Sequence, residues 1–527
     1  MKEAKNSSGN DSEQSHTGPK NRSRYILINT LSSYGRDLVD TIAFLVLIPF
    51  IIQTLGKEAF GLWSLIWSFL AIFELADFGF AASVIKYIAD ARGRQDTMRL
   101  KKLVSTLFWI YVVLGTIVMM GIALSLFFFN QIFQIPPDQT RLANIVLLIL
   151  GVRSALYLPL GMFRGVLVGY QKMTVANIYK ALANIVYLVA TIIFLTLSPD
   201  IIVLAIVNMI TGLIPMFAMM IHVKRIAPDL SIHPRHFEKS FVRELTSFSL
   251  YFSLIQMAGM IASRADALII KLFLPLEMVG IYSIGMRLSE KATTFCSHLT
   301  RALSPVFAEL HGAGDQSNVR ATLYMGSKIT TAFSMPLLLG LGILSEPLIV
   351  AWTGPDFKAA TPVCQWLVGA AMLGIIHGNS VNLLSMGGYQ KFVALSIFAG
   401  QILNIILSFL FIKSHGITGV AFATFLSTFP IYVFLIQMMV SKVHQQSIWS
   451  FYIATLAPSL IPALAMSAFF AAVLRFHALT NLVEVAILEL LGAIIFGACF
   501  WIIGFRASER AYLKDKIGRA LIRRRKL

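Results

Sequence analysis

Charge is what this 527-residue chain has least of. Asp, Glu, Lys and Arg make up 13% of it, about half the share of a soluble globular protein. Hydrophobic residues make up 57% and the mean hydropathy is +0.74. Such a composition excludes a water-soluble fold and points to the bilayer as solvent. Cysteine is equally scarce: Cys296, Cys364 and Cys499 stand singly in apolar stretches, which excludes a disulfide framework and a thiolate metal site. His298 and His377 lie in apolar runs without a second ligand at metal spacing and read as packing histidines, so neither metal nor other cofactor is expected. No Walker loop, DxD-like sugar-nucleotide site or paired catalytic carboxylates occur in a soluble segment, and the connections expected outside are short. An enzyme is not expected.

What is present is a long series of apolar runs. Fourteen are long enough to span, from 25–53 to 482–504, which predicts an all-α polytopic membrane protein. The net charge of +18 does not imply nucleic acid, because the basic residues fall in short segments between apolar runs rather than on one basic face. With the N-terminus placed in the cytoplasm, 33 of the 44 Lys and Arg residues fall inside and six outside. That asymmetry predicts that both termini are cytoplasmic, and the expected location is the inner membrane. The first 23 residues lack an apolar core and cleavage site and read as a disordered cytoplasmic tail.

A repeat organises the runs. "GYQK" at 169–172 returns at 388–391, an offset of 219 residues, and the same offset lays "LGKEAFGLWSL" (55–65) on "LPLEMVGIYSI" (274–284). Gly61 meets Gly280 and Ser64 meets Ser283. The expected organisation is a tail at 1–23, a six-helix lobe at 24–222, a cytoplasmic linker at 223–242, and a second six-helix lobe at 243–441. Two further helices at 442–504 and a basic cytoplasmic tail at 505–527 complete it. An even number of spans per lobe makes the repeats parallel, with a cavity between them.

The spans carry charge that lipid does not tolerate. Arg36, Asp37 and Asp40 stand in the first, Glu74 and Asp77 in the second and Arg153 in the fourth. Arg264 and Asp266 follow in the seventh, and Arg287, Glu290 and Lys291 in the eighth. Facing lipid, these eleven would cost about 30 kcal/mol, so they face one another or water. Arg36 with Asp40 and Arg287 with Glu290 have the spacing of helical ion pairs. Arg153, Arg264 and Lys291 have no acidic neighbour at that spacing and want a partner from another helix or from a ligand. Asp37, Asp40, Asp266 and Glu290 are candidates for a coupling proton or cation.

The stretch "LGKEAFGLWSLIWSFLAIFELADFGFAASVIKYIA" (55–89), with Leu55, Gly56, Phe60, Gly61, Asp77 and Gly79, resembles polysaccharide-export flippases. So do "FRGVLVGYQKMTVANIYKALANIV" and "GITGVAFATFLSTF" (416–429). This resemblance is to the multidrug/oligosaccharidyl-lipid/polysaccharide exporter superfamily, in its polysaccharide transporter branch. It implies two lobes around a central cavity and transfer of an undecaprenyl-pyrophosphate-linked oligosaccharide, of O-antigen type, to the outer leaflet. It also implies cavity cations for the pyrophosphate, here Arg36, Arg153, Arg264, Arg287 and Lys291. The expected partners are the lipid-linked oligosaccharide, membrane lipids, and the polymerase and glycosyltransferases of the same pathway. The equally rich acidic content departs from that pattern and keeps a second reading open, an ion-coupled multidrug or small-solute antiporter.

Overall fold

The structure, a computed structural model, describes residues 19–77, 80–228, 230, 232–242, 264–313, 315–507, 509 and 510. Most of the expected N-terminal tail, the opening of the expected second lobe at 243–263 and the basic tail beyond 510 lie outside the described residues. Among those described, every regular element is helical.

The first six helices are α1 Pro19–Glu74, α2 Phe80–Gly93, α3 Thr97–Ile132, α4 Thr140–Gly169, α5 Met173–Leu197 and α6 Ile201–Ile226. They are followed by α7 (264–273), α8 Leu276–Gly312, α9 Gln316–Ile343, α10 Ser345–Thr353, α11 Ala360–Ile376 and α12 Gly378–Leu384. Last come α13 Gln390–Phe429, α14 Gln437–His444, α15 Ile448–Thr455, α16 Ala457–Phe476 and α17 Leu482–Cys499.

Eight helices among the described residues are long and apolar enough to cross a membrane, or nine if α9 and α10, bent by 66°, count as one span. Two of the eight are continuous stretches of 42 and 67 residues, well beyond the ~20 that a bilayer needs. Each contains a glycine in the left-handed region that breaks it: Gly56 at φ 84° in the first, Gly388 at φ 88° and Gly416 at φ 56° in the second. Divided there, and with α7, α8 and α11 counted, the helices fit the fourteen spans expected from the sequence, of which the seventh lies mostly outside the described residues.

By packing, the chain forms two compact units. One comprises 1–55 and 72–253, the other 56–71 and 254–527. The boundary between the units within α1 falls at the Gly56 break.

In the first unit, α4 packs on both α3 and α6. Gly115 of α3 lies against the Ala155 carbonyl so closely that a Cβ would stand 2.7 Å from it, the small-residue contact by which membrane helices approach each other. Ile88, Leu103, Phe163, Val166 and Met219 fill the core of this unit. The expected linker folds back onto it. Leu230, Ile232 and Phe241 pack on that core, the His233 N–H donates to Ser105 Oγ (3.3 Å), and the Glu238 N–H donates to Thr106 Oγ1 (3.0 Å). Lys102 Nζ meets Glu238 Oε2 at 2.8 Å. That bond, with a second from Ser240, holds the Glu238 carboxyl below the usual carboxylate range.

In the second unit, α8 packs on α9 and α11, and α11 on α13. The two glycines matched by the 219-residue offset touch. A Cβ on Gly280 would stand 3.3 Å from the Gly61 Cα, and one on Gly61 would collide with the Leu276 carbonyl. Lys57 Nζ reaches Glu277 Oε2 at 3.4 Å beside this crossing.

The two GYQK copies turn differently. Between α4 and α5 it is Gln171 that takes the left-handed conformation, at φ 60°, while the Lys172 N–H closes on the Leu167 carbonyl at 2.8 Å. Between α12 and α13 the corresponding turn widens over Ser385–Tyr389, and Gly388 takes the positive φ instead.

Outward faces are apolar on both units: Phe127, Leu197, Trp449 and Phe476 are exposed. Singly exposed apolar side chains are ordinary in water, but here they continue along whole helices, as a lipid-facing surface requires.

Candidate functional site

Apolar sequence makes α1 and α5 long helices, and the few polar residues on them are spaced to meet. Ser33, Arg36, Asp37 and Asp40 recur at three- and four-residue intervals, as do Asn177, Lys180 and Asn184. Each set therefore occupies one helical face.

In the first unit these faces share a hydrogen-bond network. Arg36 donates through Nε (2.9 Å) and Nη2 (2.6 Å) to Asp37 Oδ1, and through Nη1 to Asn177 Oδ1 at 3.1 Å. The Asn177 amide donates to Ser32 Oγ at 3.0 Å and Ser33 Oγ at 3.1 Å. One turn further on, Asn184 Nδ2 donates to Asp40 Oδ1 at 3.3 Å. Lys180 lies close enough to Arg36, Arg164, Asp40 and Asp37 to interact electrostatically with all four.

The helical spacing of Arg36 and Asp40 thus does not identify the ion pair. Arg36 takes the adjacent Asp37, because the side chains of neighbouring residues can turn toward each other while Asp40 is engaged from α5. Three cations and two carboxylates gather here on helices that are otherwise apolar, Lys180 exposed and the other four half-buried.

Arg153 stands elsewhere in this unit, between α4 and α6. Its guanidinium fills the space left by Gly212, where a Cβ would lie 2.6 Å from Nε, and it sits 5.9 Å from the centre of the Tyr157 ring. Asp77 accepts from the Tyr111 hydroxyl at 2.7 Å.

The second unit gathers different chemistry. Asp266, on α7, is 2% exposed. Its Oδ2 accepts from the Tyr282 hydroxyl of α8 at 2.5 Å and from Thr424 Oγ1 of α13 at 3.2 Å. Asn404 Nδ2, also on α13, donates to Thr424 Oγ1 at 2.9 Å. Asp266 Oδ1, Asn404 Oδ1 and Ser408 Oγ are buried with no hydrogen-bond partner among the described residues.

No ion pair joins a cation to Asp266 among the described residues. Arg264, two positions away on α7, points from another face, and is half-buried. Arg287, Glu290 and Lys291 are half-buried on α8. Arg287 and Glu290 are not joined to each other by an ion pair, despite their spacing, and Glu290 lies within electrostatic reach of Tyr282.

Asn177, Asn184, Lys180 and Arg164 were missed from the sequence. Arg164 and Lys180 count as cytoplasmic charges in the inside/outside balance, yet both join the Arg36 cluster. The polar stripe Asn177–Lys180–Asn184 at intervals of three and four residues was the available signal. In the second unit, Thr424 and Asn404 carried no charge to attract notice.

The family model described as Polysaccharide biosynthesis protein matches residues 26–311, more than half of the chain. A relative in Haloferax volcanii, "Probable low-salt glycan biosynthesis flippase Agl15", is 26% identical over 188 residues, 35% of this chain but 39% of that protein. The "Uncharacterized membrane protein EpsK" of Bacillus subtilis is 19% identical over 365 residues, 68% of this chain and 72% of that one. The fold is shared with "Lipid II flippase MurJ, inward closed conformation", at a TM-score of 0.67 and 16% identity over 91% of this chain and all of that one, 100%. It is shared also with an inward-facing multidrug resistance MATE family transporter of the MOP superfamily, at a TM-score of 0.67 and 15% identity over 78% of this chain and 96% of that one. By the family match and by this helical architecture, the chain belongs to the polysaccharide biosynthesis protein family and is a multi-pass membrane protein.

Proposed function

We propose that this protein is a flippase that moves an undecaprenyl-pyrophosphate-linked oligosaccharide from the cytoplasmic to the outer leaflet by alternating access, for cell-surface polysaccharide synthesis. The observation that carries the reading is the Arg36–Arg164–Lys180 cluster, with Asp37 and Asp40, on spanning helices of the first unit. A cation at a helix centre costs about 2.5–3.5 kcal/mol on insertion scales. Arg36 gathered with Arg164 and Lys180, and offset by only two carboxylates among the described residues, is accounted for by an anionic ligand more readily than by packing. Arg supplies forked donors that match phosphate oxygens, and Lys a mobile point charge.

Asp37 and Asp40 keep the empty cluster from being strongly cationic, and so ease release of the anionic head. Arg153, wedged against Gly212, holds α4 to α6 and is not assigned to the substrate. Arg264, Arg287 and Lys291 remain candidate contacts on the second unit.

Transport is coupled, on this reading, to a small cation or proton at Asp266. Its second carboxylate oxygen, Asn404 Oδ1 and the Thr424 hydroxyl are hard oxygen donors of the kind that hold such ions in transporters. In this picture both termini are cytoplasmic, the membrane is the inner one, and glycosyltransferases and a polymerase work on either side of the step.

Complementation of a flippase-deficient strain tests the reading. With protein level unchanged, R36A and K180A are expected to abolish surface polysaccharide. Full activity of both would remove the cluster as the substrate site. Efflux of cationic dyes that survives R36A but not D266N would instead favour the antiporter reading.

A further inference from the structure

Asn177 lies in "MTVANIYK", directly after the first GYQK turn, and is 2% exposed. It carries no charge and reacts with nothing, yet three of its hydrogen-bonding positions are used and all three partners lie on α1: Arg36, Ser32 and Ser33. The orientation of the amide follows from its neighbours. A guanidinium only donates, so the carbonyl oxygen must face Arg36, and the amide nitrogen must face hydroxyls that accept.

Arg36 has five N–H groups. Asp37 accepts from Nε and Nη2, and Asn177 accepts from Nη1. Three of the five are engaged, on two sides of the plane's edge, and the remaining N–H groups are held in one orientation.

We propose that Asn177 is a positioning residue for substrate recognition. It fixes the Arg36 guanidinium so that its remaining N–H groups are presented to a diphosphate, and, being neutral, does so without pairing away the charge. A neutral amide is what this role needs. A carboxylate in its place would form a second ion pair with Arg36 and compete with the anionic ligand, whereas an apolar residue would let the guanidinium rotate. The proposal rests on the reading that Arg36 meets the phosphate groups of the substrate.

The test uses the purified full-length protein, inorganic pyrophosphate as the probe in a binding measurement, and thermal unfolding alongside. N177D keeps an acceptor for Arg36 and adds a charge to it. It is expected to lose pyrophosphate affinity at least tenfold while its unfolding midpoint equals or exceeds that of the wild type. A role in packing alone moves both quantities the same way. Wild-type affinity in N177D, or an affinity loss matched by a lowered midpoint, overturns the proposal.

A second variant covers the case in which N177D does not accumulate. S32A/S33A removes the anchor of the amide and leaves the Arg36–Asp37 pair in place, and a severalfold loss of affinity is expected. Unchanged affinity there also overturns the proposal. R36A separates the two levels: if it keeps pyrophosphate affinity, the reading and the proposal both fall, and if it loses affinity while N177D does not, only the proposal falls.

Discussion

The two units handle polar chemistry inside the bilayer in opposite ways. In the first, a hydrogen-bond network joins Arg36, Asp37 and Asp40 of α1 to Asn177 and Asn184 of α5, and Lys180 and Arg164 lie within electrostatic reach of it. In the second, one carboxylate, Asp266, is buried beside a tyrosine, a threonine and an asparagine, with oxygen atoms unpaired and no cation paired to it among the described residues. Repetition at 219 residues covers backbone marks and leaves these side chains unmatched. On the reading of a duplicated architecture, the shared marks concern where helices run and the unmatched side chains what each part does. On the proposed function, the first cluster takes a large anion that enters and leaves, and the second a small cation that must shed water to bind.

The largest expected effect breaks the comparison at the first unit. R36A should abolish polysaccharide export, whereas D266N should retain a measurable fraction of it but lose dependence on sodium or on pH. If both variants fail alike and neither changes ion dependence, the division of labour is wrong.

Next, the ion site alone can be read without transport. A cation present at a hundredfold its dissociation constant stabilises the folded state by about 2.7 kcal/mol. Sodium should therefore raise the unfolding midpoint of the wild-type protein and leave those of D266N and T424V unmoved. R36A should respond as the wild type does, and a flat response in R36A would show that the two clusters are not independent.

A third, smaller effect concerns the repeat marks. G61A places a Cβ against the Leu276 carbonyl, a backbone atom that cannot turn aside, and overpacking of this kind costs about 1–3 kcal/mol. G388A has open space around it and should cost only the left-handed backbone penalty, about 1–2 kcal/mol. Denaturant unfolding checks the order, and a G388A variant weaker than G61A would reverse it.

The smallest effect lies at the strap on the first unit. Glu238 has a lowered folded-state pKa through Lys102, so the stability it lends is present above the unfolded-state value, about 4.3, and is lost as pH falls through the folded one. E238Q should match the wild type in acid and unfold slightly earlier at neutral pH. Equal midpoints at neutral pH would show that the ion pair contributes nothing.

Much of the architecture was legible because bilayer physics leaves few options: long apolar runs become helices. Asp37 and Asp266 stood out for the same reason, as charges where charge is costly. Asn177, Asn404 and Thr424 did not, since neutral polar residues are common between membrane helices and only their mutual contacts single them out. Lys180 misled because a lysine seven residues into α5 looks cytoplasmic by position, while its helix face turns it toward Arg36. The partner of Arg36 was missed for a related reason, since a spacing rule taken from isolated helices ignores what a second helix offers Asp40.

The crossing of Gly61 and Gly280 has a consequence for how such a chain arose. Residues at equivalent positions meet each other, which is how a surface meets a second copy of itself across a twofold axis. A half-length ancestor pairing as a homodimer would have faced glycine with the same glycine, so one codon would have served both sides of the contact. In a fused chain the two codons would be free to drift separately, yet each glycine still answers to the other's backbone, and a side chain gained on either one must be accommodated by its counterpart.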